Sequence, residues 1–158
     1  MIRIAACCAL AGAIAAPLSA QTSPLAPGIA DMSAAVPMSG RWTYWTVAGG
    51  GEARFLDSAS RPQLVIACTR ATRQLTIGRP AAGAAPFLQV WSSSERRNLP
   101  ASFIPAAGEV RATLQFSDRL LDALAQSRGR IAVGISGQPM LVAPVWGEIG
   151  RVIEECRL

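Results

Sequence analysis

Two cysteines constrain the fold of this chain more than any other feature. Cys7 and Cys8 lie in an apolar N-terminal run, which leaves Cys68 and Cys156 in the rest of the sequence. Two cysteines allow one pairing, and a disulfide between them would close a long loop. In the chain-entropy model, closing such a loop stabilises the fold by about 4 to 5 kcal/mol, comparable to the net stability of a small domain. We therefore predict a disulfide between Cys68 and Cys156.

Two buried free thiols are the alternative state of these cysteines. A catalytic disulfide is disfavoured, because the sequence has no Cys-x-x-Cys motif and no histidine beside either cysteine. A structural disulfide also requires an oxidising compartment, so the interpretation depends on whether the protein is exported.

The N-terminal residues predict export. Met-Ile-Arg precedes an apolar run at residues 4–16, and Pro17-Leu-Ser-Ala20 follows before Gln21. This is the three-part pattern of a secretory signal peptide, so we expect residues 1–20 to be removed after Ala20 and the protein to be periplasmic or secreted. The run is shorter than the roughly 18 to 20 apolar residues that span a bilayer, so we expect no membrane span after cleavage. An uncleaved anchor is the alternative.

The remaining chain divides into a linker and one domain. Residues 21–40 are rich in Ala, Pro, Ser and Met and show neither helical nor alternating periodicity, which is typical of a disordered linker. Residues 41–158 are enough for one hydrophobic core and too few for two. We expect a single disulfide-stapled, β-rich domain.

Most of this domain alternates apolar and polar residues with the period of a β-strand. The runs at 42–47 and 52–57 flank a glycine-rich turn, which predicts a hairpin. In the run at 63–69, Leu64, Ile66 and Cys68 share one face, so the Cys68 side chain is predicted to point into the core. Further strands are predicted at residues 74–78, 87–93, 101–104, 109–116, 131–135 and 140–143, with a polar turn at 95–98.

Two segments of the C-terminal half have helical periodicity. The first contains an apolar stripe of Leu120, Leu121 and Leu124, and Ser117 is the predicted N-cap. The second is the closing stretch at residues 144–158, whose apolar side chains fall within an arc about 100° wide. That stripe consists of Val145, Ile149, Val152, Ile153 and Cys156. The fold class is therefore α+β: a mainly antiparallel β-sheet or sandwich-like domain with two C-terminal-half helices packed on it.

Two glycines in the closing helix, Gly147 and Gly150, have two explanations. Each costs about 1 kcal/mol relative to alanine in a helix interior. They could weaken the helix without compensation, or they could allow it to lie close against the sheet.

The absence of two residue types excludes several classes of enzyme. There is no histidine and no lysine, because all 15 basic residues are arginine. Ser-His-Asp and Cys-His nucleophiles, histidine-based zinc sites, Ser-Lys pairs and Schiff bases are therefore unavailable. No cofactor or metal site is predicted, and a non-enzymatic protein is favoured.

Carboxylates are the catalytic groups that remain. Asp118 and Asp122 share a helix face, whereas sequence alone cannot bring Asp57, Glu95 and Glu109 together. A carboxylate-dependent hydrolase or sugar-binding enzyme acting on envelope glycans is accordingly the alternative function.

An aromatic group near the start of the domain is the candidate ligand surface. Trp42, Tyr44 and Trp45, with Arg41 and Arg54 beside them, could line a sugar-binding platform. The same residues are typical of a core and a sheet surface, and strand alternation places Trp45 on the opposite face from the other two aromatics.

The charge of the chain suggests an anionic partner. Its formal net charge is +5. The arginines at 70–73, 96–97 and 128–130 could meet an anionic envelope component or an acidic protein surface. The lack of lysine indicates a biased composition, which weakens this inference. Nucleic acid is not an expected partner of an exported protein.

The C-terminal part of the chain resembles a known group. Residues 120–133, 139–144 and 148–156 are similar to small uncharacterised exported proteins of alphaproteobacteria, a likeness that covers most of residues 41–156. The β-rich chain with a leucine-rich helix before its last hairpin is more distantly similar to the invasion-associated locus B family. Neither resemblance implies a functional residue, and both imply an exported protein. We expect a periplasmic binding or envelope-support module.

Overall fold

The computed structural model describes residues 35–158. These residues form a β-rich domain of nine strands and two helices, which confirms the predicted α+β class. In chain order the elements are β1 (Gly40–Val47), β2 (Gly50–Asp57), β3 (Pro62–Thr69), β4 (Gln74–Pro80), β5 (Phe87–Trp91), β6 (Arg96–Ile104), β7 (Glu109–Gln115), α1 (Arg119–Ala125), β8 (Arg130–Ile135), β9 (Leu141–Pro144) and α2 (Gly147–Arg157).

The strands form one antiparallel sheet that curls into a nearly closed barrel. Their order is β1-β2-β3-β4-β7-β6-β5-β8-β9. The first four strands are neighbours in chain order, but the strand that pairs with β4 is β7, and β5 and β6 lie beyond it. Because every pairing is antiparallel, all odd-numbered strands end at the same end of the barrel. Both helices follow odd-numbered strands. We call this end the helical end and the other the opposite end.

Hydrogen bonds bring the two outermost strands together. The Met38 backbone N–H donates to the Val142 carbonyl at 2.8 Å, and the Trp42 indole N–H donates to the Pro144 carbonyl at 2.7 Å. These bonds join β1 and the residue two positions before it to β9.

The predicted hairpin of β1 and β2 is confirmed, with Val47 opposite Gly50 across a two-residue turn. The prediction of a polar turn at residues 95–98 is wrong in part, because β6 already begins at Arg96. This strand changes partner along its length, pairing with β5 up to Pro100 and with β7 from Ala101. Proline has no N–H to donate to a ladder, so it is tolerated where the pairing changes.

Both predicted helices are present. The N-cap of α1 is Asp118 rather than Ser117, because the Asp118 carboxylate accepts a hydrogen bond from the Leu120 N–H at 2.9 Å. The apolar stripe of α2 packs against the inward-facing residues of the sheet. Its buried members are Ile149, Val152, Ile153 and Cys156.

The disulfide between Cys68 and Cys156 joins β3 to α2. Its Cα atoms lie 5.4 Å apart and the two residues are separated by 88 positions. Both residues are buried within the main hydrophobic core. The bridge therefore fastens the closing helix to the sheet, as the sequence predicts.

The glycines of α2 do not serve close packing. A Cβ atom built on Gly147 or Gly150 would have no neighbouring atom within 4 Å. Of the two explanations, the one requiring a close approach to the sheet is therefore wrong, and the helix is weakened without a packing gain.

The predicted signal peptide, residues 1–20, lies outside the described residues, as does most of the predicted linker at 21–40. The last part of that linker runs along β8 and β9: Ala35 packs against Trp91, Ala132 and Val142 on the outside of the barrel. In the portion of the chain that is described, no helix is long and apolar enough to cross a membrane.

Candidate functional site

The structure divides the candidate ligand surface between the two faces of β1. Trp42 is buried inside the barrel, where its ring centroid lies 5.5 Å from that of Phe55. Trp45 is 52% exposed on the outer face, with its indole N–H bound to the Thr43 hydroxyl. The Arg41 guanidinium donates to the Ser60 hydroxyl at 3.0 Å. The residues named in this prediction therefore do not converge on one aromatic platform.

Tyr44, the remaining aromatic residue of that group, belongs to a polar cluster under α2. Its hydroxyl donates to Glu155 at 2.5 Å, and the Arg151 guanidinium lies 3.7 Å from the centre of its ring. Arg70 also pairs with Glu155 at 3.2 Å. The Tyr44 hydrogen bond, opposed by burial and assisted by Arg70 and Arg151, lowers the pKa of Glu155. A Cβ atom on Gly51 would lie against the Tyr44 hydroxyl and the Glu155 carboxylate, so a larger residue there would displace this cluster.

The carboxylates of the domain are committed to ion pairs. Within residues 35–158, every acidic side chain except Glu148 pairs with an arginine. These pairs are Glu52–Arg54, Asp57–Arg61, Glu95–Arg97, Glu109–Arg111, Asp118–Arg97, Asp122–Arg157, Glu154–Arg157, Glu155–Arg70 and Glu155–Arg151. Arg54, the remaining member of the candidate ligand surface, is thus occupied by Glu52.

The pKa shifts of two further carboxylates point in the same direction as that of Glu155. A hydrogen bond from the Arg61 backbone, opposed by burial and aided by the Arg61 side chain, lowers the pKa of Asp57. Burial raises the pKa of Asp118, but hydrogen bonds from Arg97 and the Leu120 N–H outweigh it and the net pKa is lowered. A general acid needs a raised pKa, so these residues are poorly suited to donating a proton near neutral pH.

A buried arginine that the sequence analysis missed closes the opposite end of the barrel. Arg79 is 8% exposed and donates to the Val133 carbonyl at 2.9 Å and the Pro139 carbonyl at 2.7 Å. Burial lowers its pKa. Alternation in β4 carries the signal that would have identified it, because Leu75, Ile77 and Arg79 share the inner face. Arg79 thus links β4 to the end of β8 across the interior.

The arginines without a carboxylate partner concentrate at the helical end. Among the described residues, the exposed arginines that form no ion pair are Arg41, Arg73, Arg96, Arg119 and Arg128. Four of them lie on turns or element starts at the helical end, and Arg41 lies at the opposite end. Arg73 is partly engaged, because it donates to the Arg157 carbonyl at 2.6 Å and lies over the Phe116 ring.

The other three arginines at the helical end surround the turn between β5 and β6. We call these residues, Arg96, Arg119 and Arg128, the arginine face. The Arg128 backbone N–H donates to the Ser93 hydroxyl at 3.0 Å, and the Ser93 N–H donates to the Ser127 hydroxyl at 2.8 Å. The guanidinium of Arg96, the first residue after this turn, lies 5.6 Å from the Trp91 ring centre. Of the arginine pairs considered from sequence, the fold therefore brings Arg96 and Arg128 to one surface, whereas Arg70 and Arg97 are occupied by carboxylates.

Arg119, the third member, lines an open groove of about 540 Å³ between α1 and the same turn. The groove is lined by Ser94, Glu95, Arg119, Asp122, Ala123 and Gln126. Two carboxylates thus share one cleft, but Asp122 is paired with Arg157 at 2.6 Å and Glu95 with Arg97 at 3.4 Å. No aromatic residue lines it.

A second open groove, of about 550 Å³, lies on the outer face where β6 passes from β5 to β7. It is lined by Thr76, Pro100, Ala101, Ser102, Ile104, Arg111 and Thr113. Its one charged residue, Arg111, is neutralised by Glu109 at 2.9 Å. In the described part of the chain, no cluster of three or more His, Cys, Asp or Glu side chains could hold a metal ion.

Comparisons with known proteins identify no relative, because no family model, curated protein or solved structure matches this chain.

Proposed function

We propose that this protein is an exported, non-enzymatic binding module that holds an anionic component of the cell envelope through the arginine face at its helical end. The signal-peptide pattern at residues 1–20 supports export. A disulfide that fastens the closing helix to the sheet is typical of a domain that functions in an oxidising compartment.

The observation that carries the proposal is the distribution of charge. Seven of the 14 arginines within residues 35–158 pair with carboxylates, whereas Arg96, Arg119 and Arg128 are exposed at the same end and form no ion pair with another described residue. Guanidinium groups in this state bind phosphate or carboxylate oxygens through charge-assisted hydrogen bonds. An anionic partner would therefore gain ion pairs without displacing existing ones.

The carboxylate-dependent hydrolase is less well supported by the geometry. Glu95 and Asp122 line one groove, which is the arrangement that a glycosidase requires, but both are already paired with arginines. A catalytic pair needs one carboxyl group held protonated, and an adjacent guanidinium opposes protonation.

The proposal is tested by measuring the binding of the purified protein to a washed envelope fraction at several salt concentrations. We expect binding that weakens as salt rises, because exposed charges are screened over a Debye length of about 8 Å at physiological ionic strength. Binding that does not change with salt, or no binding at any salt concentration, would refute the electrostatic role. Parallel assays for glycan hydrolysis by the same sample test the enzymatic alternative.

A further inference from the structure

We infer that the anionic component is a bilayer surface rich in anionic phospholipids, an inference that rests on the proposed function. The three residues of the arginine face come from separate places in the chain: the start of β6, the start of α1 and the loop between α1 and β8. The groove that Arg119 lines is open rather than an enclosed cavity. A spread of guanidinium groups over an open surface fits a field of headgroups better than one small anion, which requires converging donors.

An exposed tryptophan lies beside the arginine face. Trp146 is 45% exposed at the N-terminus of α2. The preceding residue, Val145, donates its backbone N–H to the Gly129 carbonyl at 3.2 Å, so the segment that carries Trp146 is bonded to the loop that carries Arg128. Tryptophan is enriched at membrane interfaces, where the apolar ring meets acyl chains and the indole N–H stays hydrated.

Charge and an apolar anchor together provide the two signals that peripheral membrane binding requires. Each arginine near an anionic surface contributes enough attraction to raise the partition coefficient about fivefold. Three arginines therefore raise the partition coefficient roughly a hundredfold, and this electrostatic contribution increases with the anionic lipid content of the membrane. The acidic residues of the groove oppose this attraction weakly, because Glu95 and Asp122 are neutralised by Arg97 and Arg157.

The test is co-sedimentation with vesicles, using protein purified after export and shown by mass measurement to lack the apolar leader. Vesicles of phosphatidylcholine alone are compared with vesicles that also contain phosphatidylglycerol. We expect binding to the second type only. The variants Arg96→Gln, Arg119→Gln and Arg128→Gln should each weaken it about fivefold, and the triple variant should abolish most of it. Trp146→Ser should weaken binding without changing its salt dependence.

Arg41→Gln is the matched control, because Arg41 is also exposed, forms no ion pair in the described chain and lies at the opposite end. Circular dichroism and thermal melting of every variant show that the fold is retained. Equal binding to both vesicle types, or an equal loss in Arg41→Gln and Arg128→Gln, overturns the inference.

A soluble acidic polysaccharide provides a second arm that separates the two proposals. If the protein binds the polysaccharide through the arginine face but does not bind vesicles, the lipid inference fails and the proposed function stands. If it binds vesicles, the polysaccharide and the envelope fraction equally poorly, both fail. Vesicle binding that the triple variant loses supports both.

Discussion

Removing the disulfide between Cys68 and Cys156 should lower the free energy of unfolding of this domain substantially. The bridge closes a loop of 88 positions, and its loss frees the unfolded chain to adopt more conformations. The chain-entropy model gives about 4.6 kcal/mol at 25 °C for a loop of this length. With a urea m-value of about 2 kcal/mol/M for a small domain, the unfolding midpoint should fall by about 2 M.

A double-mutant cycle separates the bridge from the packing of the two side chains. Cys68→Ala and Cys156→Ala each break the same bond, so each single variant should lose nearly the full stabilisation and the double variant should lose little more. The free energy of unfolding is measured by urea titration followed by tryptophan fluorescence. Reduction of the unmodified protein should reproduce the loss seen in the double variant.

Two buried free thiols would give a different result. Each alanine substitution would then cost about 1 kcal/mol through a small cavity, and the two costs would add. Additive small effects, together with two thiols that react with a labelling reagent in the unfolded, unreduced protein, would refute the bridge.

Three further predictions follow from individual contacts. Gly150→Ala should raise the free energy of unfolding by about 0.5 to 1 kcal/mol, because its Cβ would meet no atom within 4 Å. Gly51→Ala should lower the free energy of unfolding in the same urea titration, because its Cβ would lie 2.8 Å from the Tyr44 hydroxyl. Arg79→Ala should cost about 2 to 4 kcal/mol, since it leaves a cavity and removes the hydrogen bonds to the Val133 and Pro139 carbonyls. Arg79→Met should cost less by preserving the packing of the stem, and equal losses would contradict this account. Stability should fall as pH drops below about 4, because the folded-state pKa of Glu155 lies below its unfolded value and protonation then favours the unfolded chain. Tyr44→Phe should reduce that acid sensitivity in melts recorded from pH 7 downward, and an unchanged pH dependence would show that Glu155 is not its source.

Local patterns in the sequence were sufficient for much of the fold. Period-2 alternation located the hairpin of β1 and β2, and the helical stripe of residues 144–158 located α2. Because each pattern also specifies which side chains face inward, Cys68 and Cys156 could be paired before any contact was known. The predicted turn at residues 95–98 was wrong in part because the charged residues that begin β6 are typical of a turn. Pairing with β5 overrides that local preference.

The candidate site could be predicted only in part. The sequence identified Arg96 and Arg128 as members of basic groups but did not separate them from Arg70 and Arg97, which the structure neutralises with carboxylates. Whether a charge is free depends on partners far along the chain, such as Glu155 for Arg70. Arg119 was missed because nothing in its neighbourhood in sequence indicates the groove that it lines.

The sequence by itself determined the strands, the helices, the disulfide pair and the lack of histidine and lysine chemistry, because each of these depends on residue type and on spacing within one segment. The tertiary structure alone decided that β7 returns to pair with β4, that Arg79 closes the opposite end, and that three arginines remain exposed at the end that carries Trp146. These features depend on contacts between residues far apart in the chain. Such contacts are selected by the burial and ion pairing of the whole domain, which no local period encodes.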